Sequence, residues 1–358
     1  MSAGLAPDDI VRTHAQGSAN TREPLLVIDP LAEFLAASGL AAPGELNAAP
    51  IGEGHSNVTF ALSTGVVLRR PPRGPLPPSA HDVLREARLL RALEPTPVRA
   101  PMVLAVCEDP AVIGAPFYVM ERMEGAVITS SMPTSLDNPS DRERVADELI
   151  DGLAELHAVN WRAVGLEGFG KPTGYLERQL RRFAGLWEHN RTRELAQVEQ
   201  IGAWLAANVP DSPPATIVHG DYRLGNTIFS ARPPAELVAI LDWEMATIGD
   251  PLADLGYLMI HWAQAGDAQG RFNLQSVTTR PGFPTRQELI ARYEQRIGRS
   301  MRALGWYVTL ALWKAVVFME GNYKRALEGS TDDPYLKTFG EGVVELADRA
   351  LVVSQRGL

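Results

Sequence analysis

The stretch that decides the fold reads His219-Gly220-Asp221-Tyr222-Arg223-Leu224-Gly225-Asn226, followed after a hairpin-like interval by Ile240-Leu241-Asp242-Trp243-Glu244. In-line phosphoryl transfer needs a carboxylate beside the acceptor hydroxyl and oxygen ligands for Mg²⁺, and an Asp with an Asn five positions later has the spacing to supply both. A second Asp, the main metal ligand, belongs at the end of a neighbouring strand. Thr227–Ser230 and Leu237–Leu241 can pair across the Ala231–Glu236 turn, which returns Asp242 to the side of Asn226. Taken singly, either aspartate reads as a loop or capping residue. Two carboxylates brought together repel unless a cation lies between them. With Asn226 in order, the pair points to metal-assisted chemistry.

Outward from this motif the texture of the chain divides. Upstream, Val58–Leu62 and Val66–Arg70 are short apolar, β-branched runs around Ser63-Thr64-Gly65, a hairpin signal. Pro71–Pro78 holds five prolines and can be neither helix nor ladder. A helix from about Ala80 to Leu93 and strands at Val103–Cys107 and Phe117–Met120 follow. Before them, Ile28–Leu40 reads as a helix with Asp29 as N-cap, Pro30 in the first turn and Gly39 near the stop. The first twenty-odd residues read as a loose polar arm.

Beyond Gly125 helical spacing dominates, with helices expected at Arg142–His157, Tyr175–Trp187, Leu195–Asn208, Pro251–Ala263, Arg286–Ile297, Met301–Arg325 and Leu336–Leu351. Short strands are expected at Thr216–Val218, Thr227–Phe229 and Val238–Leu241. The organisation is therefore an arm and helix (1–45), a small antiparallel β-rich lobe (46–124) and a larger helical lobe (125–358), an α+β class.

The pattern H-G-D-x-x-x-x-N, then L-D-W-E and G-D-P-x-x-D-L, resembles the aminoglycoside phosphotransferase and choline kinase superfamily, from about Ala48 to the last helices. The VLRRPP, GAPFYVMERMEG and LDWEMATIGDPLADLGY stretches are similar to the kinase-like domains attached to some acyl-CoA dehydrogenases. The resemblance implies a two-lobed, protein-kinase-like fold and an ATP- and Mg²⁺-dependent small-molecule kinase. It implies Asp221 as catalytic base, Asn226 and Asp242 as metal ligands, and Glu244 as a further group of the metal shell. Arg223, two past Asp221, would lie against the transferring phosphoryl group or serve structure.

The upstream parts are expected in order. Gly52, Gly54, Ser56 and Asn57 would form a glycine-rich turn over the nucleotide phosphates, where backbone N–H groups can approach the oxygens. Without G-K-[ST] it is no Walker A loop. Arg69 closes its strand where the family more often has Lys, and Arg70 competes for the role because adjacent strand residues face opposite sides. Glu86 shares a helical stripe with Val83, Leu90 and Leu93, so it points inward and needs a partner, either Arg69 or another Arg. Met120–Met123, with Glu121 and Met123 the named residues, is the expected hinge for the adenine edge. His219 and Asp254 are expected to orient the loop, Asp250 to cap a helix, and His157 to be a satisfied core histidine.

Charge and composition limit the alternatives. The 358 residues are 45% apolar and carry 34 basic against 43 acidic side chains, a net charge of −9, which disfavours a general nucleic-acid binder. Cys107 alone excludes a disulfide within the chain and a cysteine-based metal cluster. The opening residues, with Asp8 and Asp9, lack a basic-then-apolar signal pattern, and Trp306–Met319 is too short and too interrupted by Lys314 to span a bilayer. A cytosolic protein without a membrane partner is expected. The partner is a small-molecule acceptor; the oligomeric state is not encoded in any recognisable pattern. The Met301–Arg325 helix, expected as a wall of the acceptor pocket, has Lys314, Lys324 and Arg325 against Glu320, which suits an anionic or acyl acceptor better than an aminoglycoside or other amino-alcohol; the resemblance to the acyl-CoA dehydrogenase-linked kinase domains implies a hydroxyacyl acceptor such as a hydroxyacyl-CoA. A nucleotide-binding pseudokinase is the reading of another class, favoured only by Arg in place of Lys.

Overall fold

The computed structural model of the chain describes residues 6–20, 22–41, 44–52, 57–74, 81–267, 276–329 and 334–357. They fall into two compact units, 1–124 and 125–358. The first is built on an antiparallel sheet and the second is mainly helical.

The start of the first unit is not a loose arm over its described residues. Strand β1 (Ile10–Val11) pairs in parallel with β2 (Leu26–Val27), and the short helix α1 (His14–Gly17) between them is closed by a capping box of Thr13 and Gln16. Buried Asp9 holds the segment by ion pairs to Arg22 and Arg73. Polar composition concealed this, because the anchoring partner Arg73 lies more than sixty residues away in the chain.

Helix α2 (Ile28–Ala37) buries Ile28, Leu31 and Leu35. Burial of three such side chains, at about 1.5–3 kcal/mol each, outweighs the marginal stability of a free ten-residue helix. Val27, rather than Asp29, precedes the helix; Asp29 instead takes the Arg12 guanidinium at 3.0 Å. The helix stops where Leu40 N–H bonds Leu35 O across Gly39, whose φ is +75°.

The sheet runs β3 (Ala48–Pro50), β4 (Val58–Leu62), β5 (Val66–Arg70), β7 (Phe117–Glu121), β6 (Val103–Cys107) in spatial order, all antiparallel. Alternate residues Phe60, Leu62, Leu68, Phe117 and Val119 form one core with Leu31 and Leu35 of α2. Helix α3 (Val83–Leu93) precedes β6 and packs on β6 and β7. It starts three residues later than its apolar spacing suggests because Asp82 is the cap, accepting from Arg85 N–H at 3.0 Å.

In the second unit β8 (Ala126–Val127) is followed by α4 (Pro139–Ala158), α5 (Tyr175–Asn190) and α6 (Ala196–Ala207). Helix α4 begins three residues earlier than expected, since Asn138 caps it through Asp141 N–H and Pro139 occupies the first turn. Gly125, at φ +155°, sits so close to the chain that an added Cβ would lie 2.4 Å from Phe229 O. Only glycine fits there.

Next come β9 (Thr216–Val218), β10 (Thr227–Phe229), β11 (Leu237–Ile240), β12 (Thr247–Gly249) and α7 (Leu252–His261). They form two small antiparallel sheets, β11–β10–β8 and β12–β9. Helices α8 (Arg286–Ile297), α9 (Leu304–Leu327), α10 (Pro334–Lys337) and α11 (Phe339–Arg356) complete the unit. Helix α9 is buried on nearly every side, through Trp306, Tyr307, Leu310, Trp313 and Val317 among others. Among the described residues no helix is long and apolar enough to cross a membrane.

Candidate active site

The catalytic-loop motif is assembled by its backbone before any side chain reaches out. Strand β9 ends at Val218, and the His219 and Gly220 amides both donate to the buried carboxylate of Asp254, to Oδ2 at 2.7 Å and Oδ1 at 2.8 Å. Gly220 turns with φ +85°, and a Cβ there would meet Met245 O at 2.8 Å. The buried imidazole of His219 spans the loop, with Nε2 2.9 Å from Leu241 O and Nδ1 accepting the Asp221 amide at 3.2 Å. A carbonyl only accepts and an amide only donates, so the ring is neutral with its proton on Nε2. Tyr222 anchors the underside by donating to Leu149 O at 2.7 Å.

The hairpin then does what its sequence promised. Thr227 pairs with Ile240, and Leu241 N–H donates to Asn226 O at 2.8 Å, which places Asp242 beside Asn226. Asp242 is one of two described non-glycine residues with positive φ, at +66°. Such left-handed backbone costs an L-residue free energy and is characteristic of functional turns. Glu244 follows in the single 3₁₀ turn Trp243–Met245.

Around Asp221 the side chains converge. Asn226 Nδ2 donates to Asp221 Oδ2 at 2.6 Å and to its carbonyl at 2.9 Å. Arg223 Nε lies 3.4 Å from Asp221 Oδ1. Because the Asn226 amide nitrogen is committed, its oxygen is the atom left to ligate a cation. Together with the Asp242 carboxylate it forms an all-oxygen donor set of the kind hard cations prefer. Among the described residues no three His, Cys, Asp or Glu side chains gather into a group able to hold a metal, so Asp221, Asp242 and Glu244 form no such triad. The donor set fits Mg²⁺, which keeps waters and substrate phosphate oxygens as its remaining ligands.

Two residues here escaped the sequence reading. The Tyr257 hydroxyl is hydrogen-bonded to Asp221, and its acidity is pushed well down by burial and by that carboxylate. His261, its ring tilted against that of Tyr257 at 4.5 Å, has its pKa lowered to about 4 by burial, with Arg223 acting in the same direction, so it is neutral at pH 7. Their signal was present as spacing: Asp254, Tyr257 and His261 follow at i, i+3 and i+7 along one face of α7.

Asp250 and His157 serve structure as expected. Asp250 accepts from Leu252 N–H at 3.0 Å and Tyr307 OH at 2.8 Å, although the residue flanking the helix is Pro251. His157 is satisfied on both nitrogens, by Tyr293 OH at 2.6 Å and Asp254 Oδ2 at 3.2 Å. Trp243, Trp262, Trp306 and Trp313 are core, whereas Trp204 is half-buried.

The view of α9 as one cationic wall needs correction. Glu320 is fully buried and accepts from Thr192 N–H and Oγ1 at 3.0 and 2.7 Å, while Lys324 donates to His189 O at 2.6 Å. Only Lys314 belongs near the loop. Burial lowers its pKa to about 8, Arg182 adding to the fall while Asp254 and Asp221 oppose it, and its ammonium lies 5.0 Å from the Phe183 ring centre.

Within residues 1–124, Arg69 Nε bonds Glu86 Oε2 at 3.0 Å, with the Glu86 side chain only 2% exposed. Arg69 Nη1 also reaches Thr59 Oγ1 at 3.3 Å, and Asn57 Nδ2 lies 3.5 Å from the same Glu86 oxygen. Arg70 points to the other face, where it is buried among the carbonyls of Pro71, Leu25 and Ile113. Arg69 is thus the cation that Glu86 holds. Gly52 is exposed with φ +83°; Gly54 and Ser56 lie outside the described residues. Glu121 ends β7 with its amide donating to Met102 O at 3.0 Å and its carboxylate accepting from Met102 N–H at 2.9 Å. That commits Glu121 to the sheet edge, and Met123 lies beyond the strand.

Residues 47–295 match the sequence profile of the phosphotransferase enzyme family. The chain belongs to this family. Among curated relatives, acyl-CoA dehydrogenase family member 10 of Mus musculus is 32% identical over 318 residues, covering 87% of this chain and 30% of the relative. Acyl-CoA dehydrogenase family member 11 of Gallus gallus is 34% identical over 325 residues, covering 87% and 41%. This chain therefore spans less than half the length of those relatives, whose names bear out the expected branch. A solved Ralstonia eutropha protein, provisionally named an aminoglycoside phosphotransferase, superposes with a TM-score of 0.79 at 29% identity over 92% of this chain and 98% of its own. The aminoglycoside phosphotransferase APH(4)-Ia, solved with AMP-PNP and hygromycin B, has the same fold at a TM-score of 0.58 and 16% identity, over 92% of this chain and 99% of its own. This phosphotransferase-family chain accordingly has the expected α+β, protein-kinase-like fold.

Proposed function

We propose that the protein moves the γ-phosphoryl group of ATP, with Mg²⁺, onto a hydroxyl of a small anionic acceptor, a hydroxyacyl compound or its CoA ester. The observation that carries this reading is the carboxylate of Asp221, held by Asn226, Arg223 and Tyr257 on a loop whose amides Asp254 pins. A base oriented before the acceptor arrives lowers the entropic cost of the in-line geometry. A protein that only bound nucleotide would have no use for it.

When bound, ATP and Mg²⁺ supply the phosphoryl group and neutralise its oxygens. Asp242 and the Asn226 amide oxygen would hold the metal; Arg69, steadied by Glu86, would face phosphate oxygens. Gly52, Gly54, Ser56 and Asn57 would cover them, and Met123 would meet the base. Asp221 accepts the proton of the acceptor hydroxyl, and Arg223 balances charge on the phosphoryl side.

Mg²⁺–ATP is expected to raise the melting temperature by a few degrees at saturating concentration, through mass action. Asp242→Ala should remove the metal-dependent part of that rise. An equal shift in wild type and variant would remove Asp242 from the metal site.

Support for an anionic acceptor comes from Lys314 and from the acyl-CoA dehydrogenase names of the relatives. Lys314 is charged below about pH 8 and neutral above it. The KM for a hydroxyacyl-CoA should therefore rise between pH 7 and 9 while kcat changes little, and Lys314→Met should raise KM about tenfold and flatten that rise. Its own effect on stability has the opposite sense: a lowered lysine pKa destabilises the fold at neutral pH, and the cost is relieved as pH rises from about 8 towards the ordinary lysine value. The names of the structural neighbours favour a second reading, an aminoglycoside or other amino-alcohol kinase. Efficient phosphorylation of kanamycin, with no hydroxyacyl turnover, would establish it instead.

A further inference from the structure

A cavity of about 730 Å³ lies in the second unit, lined by residues of α4, the 211–216 segment, the start of α7 and α8. That is ample for a small-molecule site. Neither Asp221, Arg223, Asn226 nor Asp242 lines it, so it is separate from the phosphoryl-transfer residues. Its lining is mixed, with an apolar part that includes Val159, Pro213, Leu252 and Ile297 beside polar and charged side chains.

The charge on this lining is unbalanced. Arg162 and Arg299 both line the cavity, and neither forms an ion pair among the described residues. The Arg162 guanidinium carbon lies over the Trp161 ring, 3.9 Å from its centre, a cation–π contact that favours this position. Arg296 is different, being bidentate to Asp151. Asp211 is the single acid in the lining. A half-open pocket with an apolar part and two guanidinium groups without ion pairs, against one acid, complements a molecule with an apolar body and one anionic head.

The same cavity touches the device that shapes the catalytic loop. Tyr293 and His157 line it, and they begin a chain of hydrogen bonds. The Tyr293 hydroxyl lies 2.6 Å from His157 Nδ1; the carboxylate of Asp254 accepts from His157 Nε2–H and from the His219 and Gly220 amides. A ligand that displaces the tyrosine or the imidazole alters the acceptor on which both loop amides depend. Coupling carried by such packed, directed contacts is physically continuous from one site to the other.

We infer that this cavity binds an amphipathic anion, and that its occupancy is transmitted to the catalytic loop through Tyr293, His157 and Asp254. The site takes a head group of either carboxylate or phosphate chemistry, and decanoate and decyl phosphate are the probes that separate them. Titration calorimetry should show at least one of the two binding with Kd below about 1 mM, and decanol binding at least tenfold more weakly. Arg162→Ala/Arg299→Ala should weaken the anion at least tenfold without lowering the melting temperature, because both side chains are exposed. Hydrogen exchange of the His219 and Gly220 amides should change severalfold when wild type is saturated with the probe. Tyr293→Phe should still bind the probe and lose that change. The inference fails if neither anion binds, if decanol or the double variant binds as tightly, or if exchange of the two amides is indifferent to the probe. It does not depend on the acceptor being acyl, since neither readout uses turnover.

Discussion

Asp221→Asn is expected to lower turnover with the true acceptor by about 10²–10⁴-fold, while the affinity for Mg²⁺–ATP stays within about threefold of wild type. The substitution preserves size and lets the new carbonyl oxygen keep the 2.6 Å bond from Asn226 Nδ2. It removes the basic oxygen and, with it, the partner of Arg223 and Tyr257. Shape survives and proton acceptance does not. Turnover near the wild-type level would place the base elsewhere and undo the assignment; a parallel collapse of nucleotide affinity would give Asp221 a binding role instead.

The second large effect concerns stability. Asp254 is fully buried and accepts three hydrogen bonds, from the amides of His219 and Gly220 and from His157 Nε2. Asp254→Ala leaves those donors without an acceptor, and each buried orphan costs about 1–3 kcal/mol. A loss of about 3 kcal/mol or more is expected in urea unfolding followed by tryptophan fluorescence, with turnover falling as the loop loosens. Asp254→Asn should fall between, because one oxygen remains while its amide group opposes a donor. A variant as stable as wild type would mean that the loop is shaped by its own turns and not by α7.

Most of the frame was legible from residues alone. The strands at 58–62, 66–70 and 103–107 and the helix at 286–297 have the bounds that their periodicity implies. Local signals failed where a distant partner decides. Asp9 and Arg73 tie down an opening that reads as polar arm, and Arg12 draws Asp29 away from capping. Strand alternation left Arg69 and Arg70 open; the sheet resolves them, because the face that carries Glu86 is a property of packing.

Charge counted along a helix was the least reliable guide. Glu320, Lys324 and Lys314 share α9, yet one caps the 192–193 turn, one meets a carbonyl and one lies under the phenyl ring of Phe183. A net sign per helix averages groups that never share a solvent space. The catalytic loop was legible for the opposite reason. Its spacing is fixed by a one-turn path from Asp221 to Asn226 and by a short hairpin, both of which a sequence records directly.

The placement of Asp254, Tyr257 and His261 on one helix divides labour along its length. The first turn of α7 supplies the carboxylate that moulds the loop; the following turns supply side chains that border Asp221. A change at the later positions therefore alters the surroundings of Asp221 while the carboxylate that moulds the loop stays in place.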